Sequence, residues 1–193
     1  MERASPVDFV DTGTAAFRRS AFLEAGGFDE SLTCAADVDL AYRLAKRGAR
    51  FAFAPRAGVE HRHAERLDQY LLKKARFGFL RLQVYRRFPA KALGDSYTPP
   101  LMAIQIALAG LSGVLGLLMV AHTPGAARGL AIALSAFACT AAPLTRRAGA
   151  QDGLLLAALA PWLSFGRAFA QGLGVLLAVL SGSGRAQGPG SPR

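Results

Sequence analysis

The sequence predicts a small α/β portion followed by an α-helical transmembrane region, and three observations carry that prediction. Residues 1–100 hold 17 of the 23 Lys and Arg residues and 12 of the 13 Asp and Glu residues in the 193-residue chain. From Leu101 to Ser181 the only charged residues are Arg128, Arg146, Arg147, Arg167 and Asp152, set in long runs of Leu, Ala, Gly and Val. Residues 7–60 alternate short apolar runs with helical patterns punctuated by Gly and Pro, as the elements of an α/β domain do. Together these exclude a simple soluble globule.

In chain order, Val7 to Val10 is a short strand candidate leading into Thr12-Gly13-Thr14. Arg19 to Ala25 fits a helix stopped by Gly26-Gly27, since glycine adopts the left-handed backbone of a helix C-cap without steric cost. Asp37 to Lys46 fits a second helix, stopped by Gly48. Phe51 to Ala54 alternates large and small residues as a strand would, and Pro55 ends it. Between Lys73 and Lys91 there are seven basic residues and no acid, which reads as a collar that hugs a membrane surface.

Leu101 to Ala121 is a run of 21 uncharged residues, about what a helix needs to cross a hydrocarbon layer roughly 30 Å thick. Its Gly110, Gly113 and Gly116 would let a neighbouring helix approach, or are simply tolerated there. A turn at Thr123-Pro124-Gly125 sends the chain back through Gly129 to Leu144, a 16-residue run closed by Pro143 and Arg146-Arg147. The expected form is a helical hairpin with the collar and Arg146-Arg147 both on the cytoplasmic side. In Gly153 to Ser181, Ser164, Arg167 and Gln171 make a polar stripe opposite Trp162, Phe165, Phe169 and Leu173. That pattern suits a helix lying in the interface or packed on the hairpin; a third span kinked at Pro161 is the rival. Residues 182–193, rich in Gly, Ser and Pro, are expected to be disordered.

The net charge of +10 divides evenly about residue 100, so charge alone does not select nucleic acid over a membrane. Aromatic platforms at readable spacing are missing, and no nucleic-acid partner is expected. The cysteines, Cys34 and Cys139, imply no disulfide framework and suit a reducing compartment for the polar half. Met1 to Phe9 has charged residues and no apolar core, so no signal peptide is expected there.

The candidate chemistry is concentrated in few residues. Asp37 and Asp39 stand near a helix start, where the dipole favours acids and a carboxylate can cap free N–H groups. As a pair at that spacing they are either such a structural feature or part of a site. His61 and His63 project to one side if the chain is extended there, as metal ligands would, or form an exposed polar loop.

Order and spacing add more. Thr12-Gly13-Thr14-Ala15-Ala16-Phe17-Arg18-Arg19, Gly26-Gly27-Phe28-Asp29-Glu30, Asp37-Val38-Asp39-Leu40-Ala41-Tyr42-Arg43-Leu44, then Gly48, Pro55, His61 and Lys74-Ala75-Arg76-Phe77-Gly78 closely resemble the acceptor-side half of an inverting family 2 glycosyltransferase. The resemblance covers about residues 5 to 90, and the basic segment with its apolar C-terminus looks like membrane-bound members. It implies a partial GT-A-like fold and assigns Asp37 as the general base that takes the acceptor hydroxyl proton. A carboxylate of ordinary pKa is already ionised at neutral pH. Position 36 is Ala where the family carries a preceding acid.

His61 matches a histidine that in some members joins the divalent metal, Mg or Mn, holding the diphosphate leaving group. Lys74-Ala75-Arg76-Phe77 lies where processive members carry Gln-x-x-Arg-Trp, with neither Gln nor Trp kept, which implies transfer of a single sugar. Asp39, Lys74, Arg76, Gly13 and Thr14 complete the implied acceptor- or phosphate-binding set. The implied partners are a nucleotide-sugar donor, a lipid or glycan acceptor and membrane lipids.

These readings divide the chain into residues 1–72, the acceptor-side portion; 73–100, the collar; 101–144, the hairpin; 145–181, the third apolar segment; and 182–193, the tail. The family's first parallel strands and its Asp-x-Asp metal motif find no counterpart before Val7. The expectation is therefore a fragment, a split or mis-started gene, or a relic, inactive unless a donor-binding half completes it. A relic would serve as a membrane-bound scaffold or binding module. The completed enzyme would sit in the cell inner membrane, multi-pass, with its polar part cytoplasmic.

Overall fold

A computed structural model describes residues 12–32, 35–52, 54, 58–60, 65–92 and 100–182. Its helices are α1 (Arg19–Glu24), α2 (Ala36–Lys46), α3 (Leu67–Arg87), α4 (Pro100–Val120), α5 (Ala126–Gln151) and α6 (Leu154–Leu180), with single 3-10 turns at Thr12–Thr14 and Pro89–Lys91. The expected α/β, GT-A-like arrangement is not observed: among the described residues every regular element is helical and there is no strand. Phe51, expected to begin a strand, instead packs against the Ala25, Leu40 and Leu44 cluster. A strand is stable only with a neighbour to take its backbone hydrogen bonds, and no such neighbour occurs among the described residues. The Val7 to Val10 strand, His61, His63, Cys34 and the tail from residue 183 lie outside those residues.

Both short helices end where glycine was expected to end them. Beyond α1 the Gly26 N–H donates to the Leu23 carbonyl at 2.9 Å and the Gly27 N–H to the Phe22 carbonyl at 3.0 Å. Beyond α2 the Gly48 N–H donates to Ala45 at 2.9 Å and the Ala49 N–H to Leu44 at 3.1 Å. This paired pattern satisfies the last carbonyls and needs a left-handed residue after the cap, supplied by Gly26 (φ 85°) and Gly48 (φ 81°).

α2 is the hub of the polar part. Val38 and Tyr42, one turn apart, pack with Leu32, Ala35 and the Val84 side chain of α3. Leu40 and Leu44, on an adjoining face, pack with Ala25. Tyr42 also meets Phe88 edge-on, ring centroids 5.4 Å apart, and accepts a 3.1 Å hydrogen bond from buried Arg81. The Arg81 guanidinium is surrounded by the rings of Tyr42, Phe77 and Tyr85, 5.0 to 5.8 Å away, a setting in which a cation is held by the negative faces of the rings.

α4, α5 and α6 are each long and apolar enough to cross a membrane, which marks a membrane protein. Leucines on all three, such as Leu117, Leu144 and Leu176, are exposed, as expected for helices solvated by lipid tails. Inside the bundle Ala109, Phe137, Ala141 and Ala168 form a core completed by Phe165 and Phe169. Of the three α4 glycines, Gly113 alone meets a neighbour, the Phe169 ring; Gly110 and Gly116 face open space.

α5 departs from its expected end. It runs on through Pro143 and Arg146-Arg147 to Gln151. Proline ends helices in water because it lacks an N–H and crowds the carbonyl four residues back. The carbonyl that Pro143 leaves without a helical donor is that of Cys139, and a membrane helix tolerates such a single loss; the neighbouring Thr140 carbonyl is approached by the Gln105 side-chain amide at 3.4 Å. α6 likewise continues through Pro161. Its stripe of Ser164, Arg167 and Gln171 turns into the bundle: Ser164 and Gln171 are buried, and Arg167 donates from Nη2 to Gln105 Oε1. Trp162, on the other flank, is 75% exposed. The third segment is thus packed on the hairpin along a polar seam joining α6 to α4 and α4 to α5.

The basic segment is itself a helix, α3, laid on α6. Leu71 lies against Gly166, Gly78 against the Gln171 backbone, and the Ala75 and Phe79 backbones against Gly174. Tyr70 beside Leu163 and Ser164, Leu71 by Gly166 and Phe79 by Gly174 rise together along both chains, so the two helices run in broadly the same direction and cross where Ala75 and Gly78 meet Gly174 and Gln171. Contact is so close that a Cβ on Gly78 would fall 2.2 Å from the Gln171 carbonyl oxygen, and one on Gly174 would fall 1.9 Å from that of Ala75. Exposed Lys73, Arg76 and Arg86 on the outer side of α3 are too costly to immerse in hydrocarbon, so this face of the molecule is expected to meet water or headgroups and not lipid tails. Gly174→Ala is expected to lever the helices apart at a cost of about 1–3 kcal/mol. Faster tryptic cleavage within Lys73 to Arg87 in detergent-solubilised protein would report it; unchanged cleavage would show the contact to be dispensable.

Candidate functional site

The described candidates on α2 and α3 lie toward two places about 20 Å apart along α3, from Lys74 to Arg87, at 1.5 Å per residue. At the C-terminal end of α3 sits an ion cluster. Asp39, 1% exposed, receives Arg43 Nε on Oδ2 at 2.7 Å and Arg87 Nη1 on Oδ1 at 3.1 Å. Arg87 Nη1 also donates to Asp29 Oδ2 at 2.7 Å. Arg43 continues inward, donating from Nη1 to the Ala25 carbonyl and from Nη2 to the Gly27 carbonyl at 2.7 Å. One carboxylate therefore ties the end of α1, the body of α2 and the end of α3, with a cation placed where the α1 dipole is negative.

The sequence offered a signal for half of this cluster, since Asp39 and Arg43 are four apart on a helix and face each other. Asp29 stands in the sequence only within the Gly26-to-Glu30 motif and Arg87 only within the basic segment, and nothing local pairs either with Asp39, because only the fold brings them there. Burial pushes the Asp29 carboxyl up, but hydrogen bonds from Ser31 and Arg87 more than offset it, and its pKa lies below the ordinary 3.8. A carboxyl held low in the folded state contributes stability fully present above the ordinary carboxylate range and lost as pH falls through it toward the folded value. Arg87, though burial opposes its charge, is held above its usual value by Asp29 and Asp39, beyond any working pH. The α2–α3 contact is accordingly expected to weaken on acidification from pH 5 to 3, with Asp29→Asn flattening that dependence in hydrogen exchange of α2 amides.

Asp37 differs from Asp39 although only two residues away. It is half-buried in the first turn of α2, with Oδ1 accepting the Val38 N–H at 2.8 Å. Gly13 and Thr14 lie in an exposed turn ahead of Phe17, which packs toward α1 and α2. His61 lies outside the described residues. Among the described residues no three His, Cys, Asp or Glu side chains could together hold a metal ion, so they do not by themselves fit the expected divalent cation.

Lys74 and Arg76 belong to the other place. Arg76 is exposed; Lys74 is partly covered and its Nζ stands 5.3 Å over the Tyr70 ring. Burial, then the nearby charges of Arg167 and Lys73, lower its pKa. The structure thus does not bring the Lys74 and Arg76 pair to Asp37.

Comparison with known proteins agrees with the residue pattern. The family model described as "Glycosyl transferase family group 2" matches residues 1–169. Two curated relatives, each described as "Pre-mycofactocin glycosyltransferase", from Mycobacterium tuberculosis strains CDC 1551 / Oshkosh and ATCC 25618 / H37Rv, are each 37% identical over 87 residues. That alignment covers 45% of this chain and 18% of each relative's length. No solved structure matches the chain.

Proposed function

The chain belongs to glycosyl transferase family group 2, and on that premise we propose that it is the C-terminal, acceptor-side part of a membrane-bound inverting enzyme. The reaction moves one sugar from a nucleotide-sugar to a lipid-linked or cell-envelope acceptor. The observation that carries this reading is the family match over residues 1–169, which takes in two neighbouring acids on α2. Asp39 is locked between two arginines, whereas Asp37 stands half-buried at the head of the helix they hold.

In the proposed step the acceptor hydroxyl oxygen attacks the anomeric carbon, its proton passes to the Asp37 carboxylate, and the bond to the nucleoside diphosphate breaks. Asp39 acts through Arg43 and Arg87 as a positioning residue, fixing α2 against α1 and α3. A divalent cation, Mg or Mn, enters this reading only through His61 and would neutralise charge on the leaving diphosphate. The polar part is assigned to the cytoplasmic side of the inner membrane, a placement supported by exposed Arg146 and Arg147 in the last turns of α5.

The test is complementation. Membranes holding the chain together with the part of a matched relative that precedes the aligned segment should transfer sugar from a labelled nucleotide-sugar to a membrane-extractable product, and neither piece alone should. Binding of the chain to its complement without any transfer would favour the scaffold reading.

A further inference from the structure

Between α5 and α6 lies a crevice of about 220 Å³. α5 lines it with Leu144 and Ala148, one turn apart, and with Asp152 at its C-cap. α6 lines it with Leu156, Leu163 and Arg167, which share one face at that spacing. From Leu156 to Arg167 the α6 wall is about 16 Å long at 1.5 Å per residue, roughly half of a hydrocarbon layer ~30 Å thick and so about the depth of one leaflet. Leu144, Leu156 and Leu163 are exposed, and the crevice therefore opens onto the apolar surface of the spanning helices. At its inner end Arg167 directs Nη2 to Gln105 Oε1 inside the bundle, so that charge is already engaged. At its outer end, at the turn into α6, stands exposed Asp152.

Asp152 sits where an acid is disfavoured. The carbonyl end of α5 is the negative pole of the helix dipole and favours cations, yet Asp152 adds a second negative charge there. Its carboxylate has no ion pair or side-chain hydrogen bond among the described residues. We propose that the crevice holds one phospholipid with a primary ammonium headgroup, of the phosphatidylethanolamine type, its ammonium on Asp152 and an acyl chain along Leu144, Leu156 and Leu163. A primary ammonium brings positive charge and three N–H donors to the carboxylate. A choline headgroup carries the same charge without a donor, and a glycerol headgroup carries no cation. A soluble amine would use the acid but leave the leucines uncovered, whereas the lipid uses both, with its chain running along α6 for about one leaflet.

The proposal does not depend on sugar transfer, because lipid retention is read without donor or acceptor. The full 193-residue chain is reconstituted in nanodiscs of equal phosphatidylethanolamine, phosphatidylcholine and phosphatidylglycerol, extracted in mild detergent, and examined by native mass spectrometry for retained lipid. Retention of phosphatidylethanolamine over phosphatidylcholine by about fivefold or more is expected, the contribution of one charged hydrogen bond. Asp152→Asn should bring that ratio close to one and Asp152→Glu should keep it. Leu156→Gln should lower retention of both lipids with little change in their ratio, and Arg128→Gln at the other end of α5 should alter neither. Asp152 is exposed beyond the last turn of α5, so Asp152→Asn tests the headgroup contact in a folded chain. Equal retention of phosphatidylethanolamine and phosphatidylcholine, a preference that survives Asp152→Asn, stronger retention of phosphatidylglycerol, or displacement by millimolar ethanolamine would overturn the proposal.

Discussion

Asp39→Ala is expected to lower amide protection in α2 by about 100-fold or more in hydrogen exchange of the detergent-solubilised chain, equivalent to about 3 kcal/mol or more at 1.36 kcal/mol per tenfold. The magnitude follows from what the substitution leaves behind. Asp39 is almost fully buried and is paired to both Arg43 and Arg87. Removing one partner of a buried ion pair typically costs about 3–5 kcal/mol, because the other partner keeps its desolvation penalty. The arginine side chains are 25% and 27% exposed, so water recovers part of the loss, which places the expectation at the lower end. Arg43 also holds the Ala25 and Gly27 carbonyls, and its release should loosen the end of α1 as well. Tryptophan fluorescence would miss the event: the single Trp, Trp162, lies on α6. A protection loss under threefold would mean that the cluster contributes little and that apolar packing around Val38 and Tyr42 holds α2 alone.

Some of this architecture was open to inspection in the sequence, and the boundary between what was and what was not has physical causes. The ends of α1 and α2 were legible because a glycine cap is a local device: Gly26 and Gly48 need only their own helix to form the paired hydrogen bonds. α4 was legible because a 21-residue uncharged run states its environment by length alone. The strand at Phe51 was misread because alternation of large and small residues describes a side-chain pattern, whereas a strand is made by its neighbour. The end of α5 differs from the expectation because one proline removes one helical hydrogen bond, a loss that a membrane helix tolerates without ending.

α3 was seen as charge and not as a helix. Its repeating feature is the small, close-packed contact of Ala75 and Gly78 on α6, which is invisible until Gln171 and Gly174 are placed against it. At the candidate site the same rule holds: the Asp39–Arg43 pair is local and readable, while Arg87 arrives from 48 residues away.

Asp37→Asn is expected to behave in the opposite way to Asp39→Ala: a large effect on transfer and a small one on the fold. In the complemented enzyme, turnover should fall by about 10²- to 10⁴-fold, the usual contribution of a positioned general base. Asparagine has nearly the volume of aspartate but no lone carboxylate to receive the acceptor proton. It keeps a side-chain carbonyl, so the 2.8 Å hydrogen bond from the Val38 N–H can re-form. What the helix loses is one negative charge near its N-terminus, worth less than about 1 kcal/mol. α2 protection should therefore change by less than about fivefold. The informative measurement is the pair of readouts on each variant: transfer rate in the complemented enzyme and amide protection in the chain alone. A base should lose the first and keep the second; a structural acid should lose protection first, with activity falling in proportion. Full activity in Asp37→Asn would remove Asp37 from the reaction whatever its protection, and protection as poor as that of Asp39→Ala would reassign it to the scaffold that the two arginines maintain.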